Sequence, residues 1–203
     1  MSILSEERSS DSPYVEKIIK GRTVSDGSSV RPAESHWHMV FTRFERHMLP
    51  IYVGPLTSAG VASWGEGAEI IWIKFKLGVF LRQLPPNDFL DTETILPDAG
   101  SQSFWLNGSA WQFPNFENVE TFIARLVRDD VLVEDPVVHT VLHGHYPEMS
   151  PRTVRHRFLR STGMTRSRIY QIERAQQAAE LLEQGVPIMD TVFELGYYDQ
   201  PHL

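Results

Sequence analysis

SPRTVRHRFLRSTGMTRSRIYQIERAQQAAELLEQGVPIMDTVFELGYYDQPHL, Ser150 to Leu203, is the stretch whose reading decides the fold. Ser150-Pro151 predicts a helix start. The hydroxyl can accept from an orphan backbone N–H, and proline fits the first helical position. Gly163 closes the helix where a left-handed residue is wanted. On a wheel of about 100° per residue, Val154 and Phe158 share one side. Arg152, Arg155 and His156 share the other, flanked by Arg157 and Arg160. Such a helix has an apolar anchor and a basic face. A DNA major groove admits a helix, and arginine can fork onto guanine O6 and N7. Flanking arginines would meet phosphates, which position without specifying sequence. The charge pattern alone fits a solvated basic face equally well.

The context tips that balance. Thr165 predicts the cap of a longer helix from Arg166 to Gln184, with Ile169, Ile172, Ala175, Ala179 and Leu182 as its apolar stripe and Gly185 as its stop. Pro187 opens another short helix, with Ile188, Val192 and Leu195 on one face, and Gly196 ends it. Asp199 then stands where a cap belongs, and Gln200, Pro201, His202 and Leu203 remain. A single turn is marginal because helix nucleation is costly, so fraying is expected there.

These motifs resemble the DNA-binding module of the AraC/XylS family of transcription regulators. The resemblance covers roughly residues 135–203. It rests on S-x-R-T-x-x-x-R-F from Ser150 to Phe158, the T-G at Thr162-Gly163, and R-A-x-x-A-x-x-L-L from Arg174 to Leu182. It also rests on G-V-P-I-x-D from Gly185 and L-G-Y-x-D-Q-x-H-L from Leu195. In that family two helix-turn-helix units joined by a long helix enter adjacent major-groove segments. The resemblance implies double-stranded DNA as partner. It implies Arg152, Arg155 and His156 as base readers of the first unit, with Arg157 and Arg160 beside them. Gln200, Pro201 and His202 fall at the start of the second reading helix. RNA polymerase, a small-molecule effector and a second copy of the chain are the further partners the family suggests. Three departures are visible. The stretch from Asp135 to Met149 is short, with Glu148 where glycine is common. Val192 stands where alanine is usual, and the second reading unit is expected to be incomplete.

The whole chain carries a net charge of −7, which argues against DNA until its distribution is read. Residues 150–176 hold seven arginines and one acid, Glu173. The positive charge is thus concentrated where a phosphate backbone could meet it. The acidic remainder is expected to keep non-specific binding weak. No cysteine is present, which excludes thiol chemistry, disulfides and cysteine-bound zinc. No apolar run approaches a membrane span and the N-terminus has no secretory pattern, so no membrane role is expected and the cytoplasm is the expected compartment.

The fold expected is α+β: an N-terminal strand-rich, cupin-like β-barrel or sandwich followed by an all-α helix-turn-helix domain. Residues 1–30 are polar and serine-rich and read as a poorly ordered tail. Residues 31–134 read as a regulatory, ligand-sensing or dimerisation domain of alternating strands closed by a helix from Asn118 to Val131. Residues 135–203 begin at Asp135-Pro136, a capped start for a short helix to His143.

Within the strand-rich part, Trp64, Trp72, Phe104, Trp105, Trp111 and Phe113 are the candidates for an effector pocket, against the plainer reading that they fill the core. His36-x-His38 and the pair His139 and His143 invite a metal reading. Two ligands do not close a site and no carboxylate motif accompanies either pair, so no metal and no cofactor are expected. No nucleophile triad, phosphate loop or carboxylate pair stands out, and no enzymatic activity is expected. The alternative is a cupin-like small-molecule-binding protein or enzyme whose helical tail no longer binds DNA. A third reading is a partner that pairs with intact relatives and blocks them.

Overall fold

The computed structural model describes residues 3–45, 47–100, 102–145 and 147–199. Its centre is a six-stranded antiparallel sheet built from β1 (Ile3–Arg8), β2 (Val15–Thr23), β4 (His38–Phe44), β5 (His47–Val53), β7 (Glu69–Phe75) and β9 (Glu93–Ile95), in the order β1-β2-β7-β4-β5-β9. The sheet is open, with β1 and β9 at its edges. The strand-rich part is therefore not a closed barrel.

Strand alternation sorts the two faces of this sheet. Ile18, Met39, Phe41, Tyr52, Ile73 and Phe75 are all buried on one face. There they meet helix α1 (Val119–Arg128) and a three-stranded sheet of β10 (Asp98–Gly100), β11 (Ser103–Leu106) and β12 (Ser109–Gln112). Trp37 stacks on Phe75 with centroids 3.9 Å apart, and its indole N–H donates to the Val79 carbonyl at 2.6 Å. The other face looks towards a two-stranded ribbon, β3 (Gly27–Arg31) paired with β6 (Gly60–Trp64).

The expected disordered tail over residues 1–30 is corrected by β1, β2 and β3. β2 lies between β1 and β7 and buries Val15, Ile18, Gly21 and Thr23. A register shift between Val15 and Lys17 breaks its two-residue alternation, which is why VEKIIKGRT does not look like a strand. β1 is an exposed edge strand whose polar residues are what an edge tolerates.

A short antiparallel pair, β8 (Val79–Leu81) with β13 (Leu132–Glu134), leads into the helices. These are α2 (Pro136–Leu142), α3 (Pro151–Thr162), α4 (Arg166–Glu183) and α5 (Ile188–Glu194). The first three starts follow their local chemistry. Asp135 accepts from the Val137 N–H, Ser150 from the Thr153 N–H and Thr165 from the Arg168 N–H. Val138, Phe158, Met164, Ile169 and Ile172 form a second core, on which Ala33, Leu77 and Leu90 of the strand-rich part also pack. The buried side of α4 differs from the expected stripe. Ile169, Ile172 and Ala178 are buried, whereas Ala175, Ala179 and Leu182 are exposed.

Candidate nucleic-acid interface

α3 is held from behind at three places. Phe158 is buried in the second core, and Val154 is half-buried beside it. Arg157 clamps Asp135 with both arms, Nε to Oδ2 at 3.0 Å and Nη2 to Oδ1 at 2.7 Å. Asp135 is also the cap of α2, so one carboxylate joins the two helices of the unit. At the far end Gly163 adopts φ 76, where its missing Cβ allows close approach of the Pro86 carbonyl and Leu90.

These anchors leave the opposite side of α3 open. Arg152, Arg155, His156 and Arg160 are exposed. Among the described residues, the side chains of Arg152, Arg155 and His156 form no hydrogen bond or ion pair within the chain. Arg160 lies over the Phe80 ring, 5.7 Å from its centroid, with its charge still reaching solvent. Of the five basic residues singled out on this helix, Arg157 alone is committed to a carboxylate. Gln200, Pro201 and His202 lie outside the described residues.

Arg166, at the start of α4, was not among the expected contacts. It is exposed and lines the same cleft between α3 and α4 as Arg155. Its position directly after a capping Thr165 gives no sequence signal that it would sit beside α3. Arg168 is used internally, donating to the Thr57 carbonyl. Gln176 donates to the Ala33 carbonyl at 2.7 Å. Two side chains of α4 thus bolt the helical part to loops of the strand-rich part.

The aromatic candidates separate into two groups. Trp64 and Trp72 line a cavity of about 580 Å3 between the six-stranded sheet and the β3–β6 ribbon. Phe104 and Trp111 are buried in the core behind the sheet, where Phe113 packs against them, and Trp105 is exposed. An effector pocket made of all of them is ruled out by this geometry, because the sheet lies between the two groups.

His36 sits between two carboxylates, 2.8 Å from Glu16 and 2.9 Å from Glu34, and Lys74 reaches the same two at 3.1 and 3.4 Å. Burial opposes its charge, but hydrogen bonds to Glu16 and Glu34 raise its pKa above the ordinary histidine value. Burial also pushes Glu16 and Glu34 upwards. The His36 hydrogen bond and charge, helped by Lys74, outweigh it and hold both at about 2. His38 is enclosed against Trp72, on the same face as Lys74, and burial drives its pKa down to about 3. Among the described residues no group of three side chains placed to hold a metal ion occurs. His143 Nδ1 lies 2.8 Å from the His139 carbonyl, one turn earlier.

No helix among the described residues is long and apolar enough to cross a membrane. No curated protein and no solved structure matches the chain. Residues 146–203 match the family model of a helix-turn-helix domain. This agrees with the motifs and with the capped, braced helices just described: the C-terminal part of the chain is a helix-turn-helix domain of the AraC/XylS type.

Proposed function

We infer that the protein is a cytoplasmic transcription regulator that reads DNA through α3. Arg152, Arg155 and His156 contact base edges, and Arg160 and Arg166 meet the flanking phosphates. Arg157 braces the helix through Asp135. The observation that carries this reading is the pairing of an anchored back with an unengaged basic front on one helix. Buried Phe158 fixes the rod, and the outward guanidinium groups keep their full hydrogen-bonding capacity for a duplex.

The strand-rich part serves as the effector-responsive half, supported by the cavity at Trp64 and Trp72 and by its direct hydrogen bonds to α4. Contact with RNA polymerase and pairing with a second copy follow from the family resemblance alone. Repeated selection of the full chain on random duplexes tests the reading. Enrichment of a short common motif is expected, with binding that weakens as salt rises. A selected pool no different from the input would count against it.

A further inference from the structure

The cavity under the β3–β6 ribbon has a defined chemistry. Its floor is the outer face of the sheet, where Val40, Ile51, Val53 and Ile70 stand beside Trp72. Its roof is the inward side of the ribbon, with Ala62 and Trp64. At about 580 Å3 it falls within the range of small-molecule sites. The charged residues on its lining, Arg31 and Glu93, are bound to each other, so the rim offers no net charge. The indole Nε1 of Trp64 is buried and has no acceptor among the described residues. A buried donor without a partner is unfavourable until something supplies an oxygen or nitrogen lone pair.

We propose that this cavity binds a neutral, flat, mostly apolar ring compound carrying a hydrogen-bond acceptor. Apolar walls and two indoles favour a ring, the self-neutralised rim disfavours a charged ligand, and the Trp64 N–H asks for a carbonyl or ether oxygen. The binding chemistry stands on the cavity alone. Its consequence for DNA rests on the regulator reading above. Arg31 and Pro32 line the cavity, and the next residue, Ala33, accepts from Gln176 and packs on the core that holds Phe158. Glu34 pairs through its backbone with Leu56, and the Thr57 carbonyl takes Arg168. A ligand that orders the end of β3 therefore acts on α4 through two fixed hydrogen bonds.

The test needs no DNA, so its failure is distinguishable from failure of the regulator reading. The full chain is titrated with prodan, a neutral naphthyl ketone whose emission shifts blue in apolar surroundings. Saturable one-to-one binding is expected. Ala62→Trp fills the cavity and should weaken binding roughly tenfold or more, whereas Val61→Trp, on the exposed outer side of the same strand, should leave it unchanged. Trp64→Phe, which keeps a ring but removes the donor, should weaken it several-fold. Should Ala62→Trp fail to fold, Thr42→Ile on the cavity floor is read in the same way. Absence of saturable binding overturns the proposal, and so does equal weakening by Ala62→Trp and Val61→Trp. If Ala62→Trp instead converts a dimer to a monomer while prodan binding is unaffected, the cavity belongs to an interface between copies and the proposal falls.

Discussion

Arg157 of the basic helix grips Asp135, the residue that caps the helix before it, through two hydrogen bonds of 3.0 and 2.7 Å. An arginine that looks from its spacing like one more DNA contact is a brace. Asp135 is mostly buried, so truncating Arg157 leaves its carboxylate with only the Val137 N–H. Arg157→Ala is expected to cost about 1–2 kcal/mol, an amount reduced by the partial exposure of the guanidinium. Urea denaturation checks it. DNA affinity per folded molecule should change far less than in Arg155→Ala.

Gly163 is the second structural prediction. Its φ of 76 costs an L-residue about 1–2 kcal/mol. An added Cβ would also lie 2.9 Å from Leu90 Cδ2 and 3.0 Å from the Pro86 carbonyl oxygen. Gly163→Ala should therefore lower the melting temperature by several degrees and loosen α3 from the Pro86–Asp88 turn. An unchanged melting temperature would show that the turn is not packed there.

The cluster around His36 predicts how stability varies with pH. Glu16 and Glu34 are held at about 2, below the ordinary 4.5. Their contribution is present above the ordinary value and lost as pH falls towards 2. His38, held at about 3, resists a proton that the unfolded chain accepts near 6.5, so it too loses stability on the acid side. His36 is raised, so its contribution is present below 6.5 and lost as pH rises through its folded value. Urea midpoints measured across pH should fall steeply below about 4.5. His36→Gln should remove the alkaline loss and shift the acid loss to higher pH.

What was legible in the chain follows from how local each signal is. Ser150, Thr165 and Asp135 announce their helices because a cap acts on backbone groups two or three residues away. Gly163, Gly185 and Gly196 mark helix ends by the same local logic, and all three have positive φ. The outward face of α3 was legible for the same reason. The strands before Arg31 were not, because the bulge in β2 interrupts its period and β1 is polar along an exposed edge. The split among the aromatics was hidden because it depends on which face of a six-stranded sheet each strand presents. Arg166 was missed because its neighbour, Arg155, comes from another helix.

The bolt between the two parts gives a further prediction. Gln176 Nε2 reaches the Ala33 carbonyl at 2.7 Å across 143 positions of sequence. Gln176→Ala removes it and should cost about 1 kcal/mol. Amide exchange should quicken in the middle of α4 while the core strands keep their protection. Any effect of prodan on DNA affinity should shrink in the same variant, since the connection from Pro32 to α4 is cut.

Anisotropy of a labelled mixed-sequence duplex, measured with the unaltered chain and with Arg152→Ala/Arg155→Ala over a range of salt, tests most directly whether α3 meets DNA. The account predicts weak, salt-sensitive binding that falls by about tenfold or more in the double variant, with a shallower salt slope and unchanged melting. Identical affinity and identical slope for two equally folded proteins would contradict it.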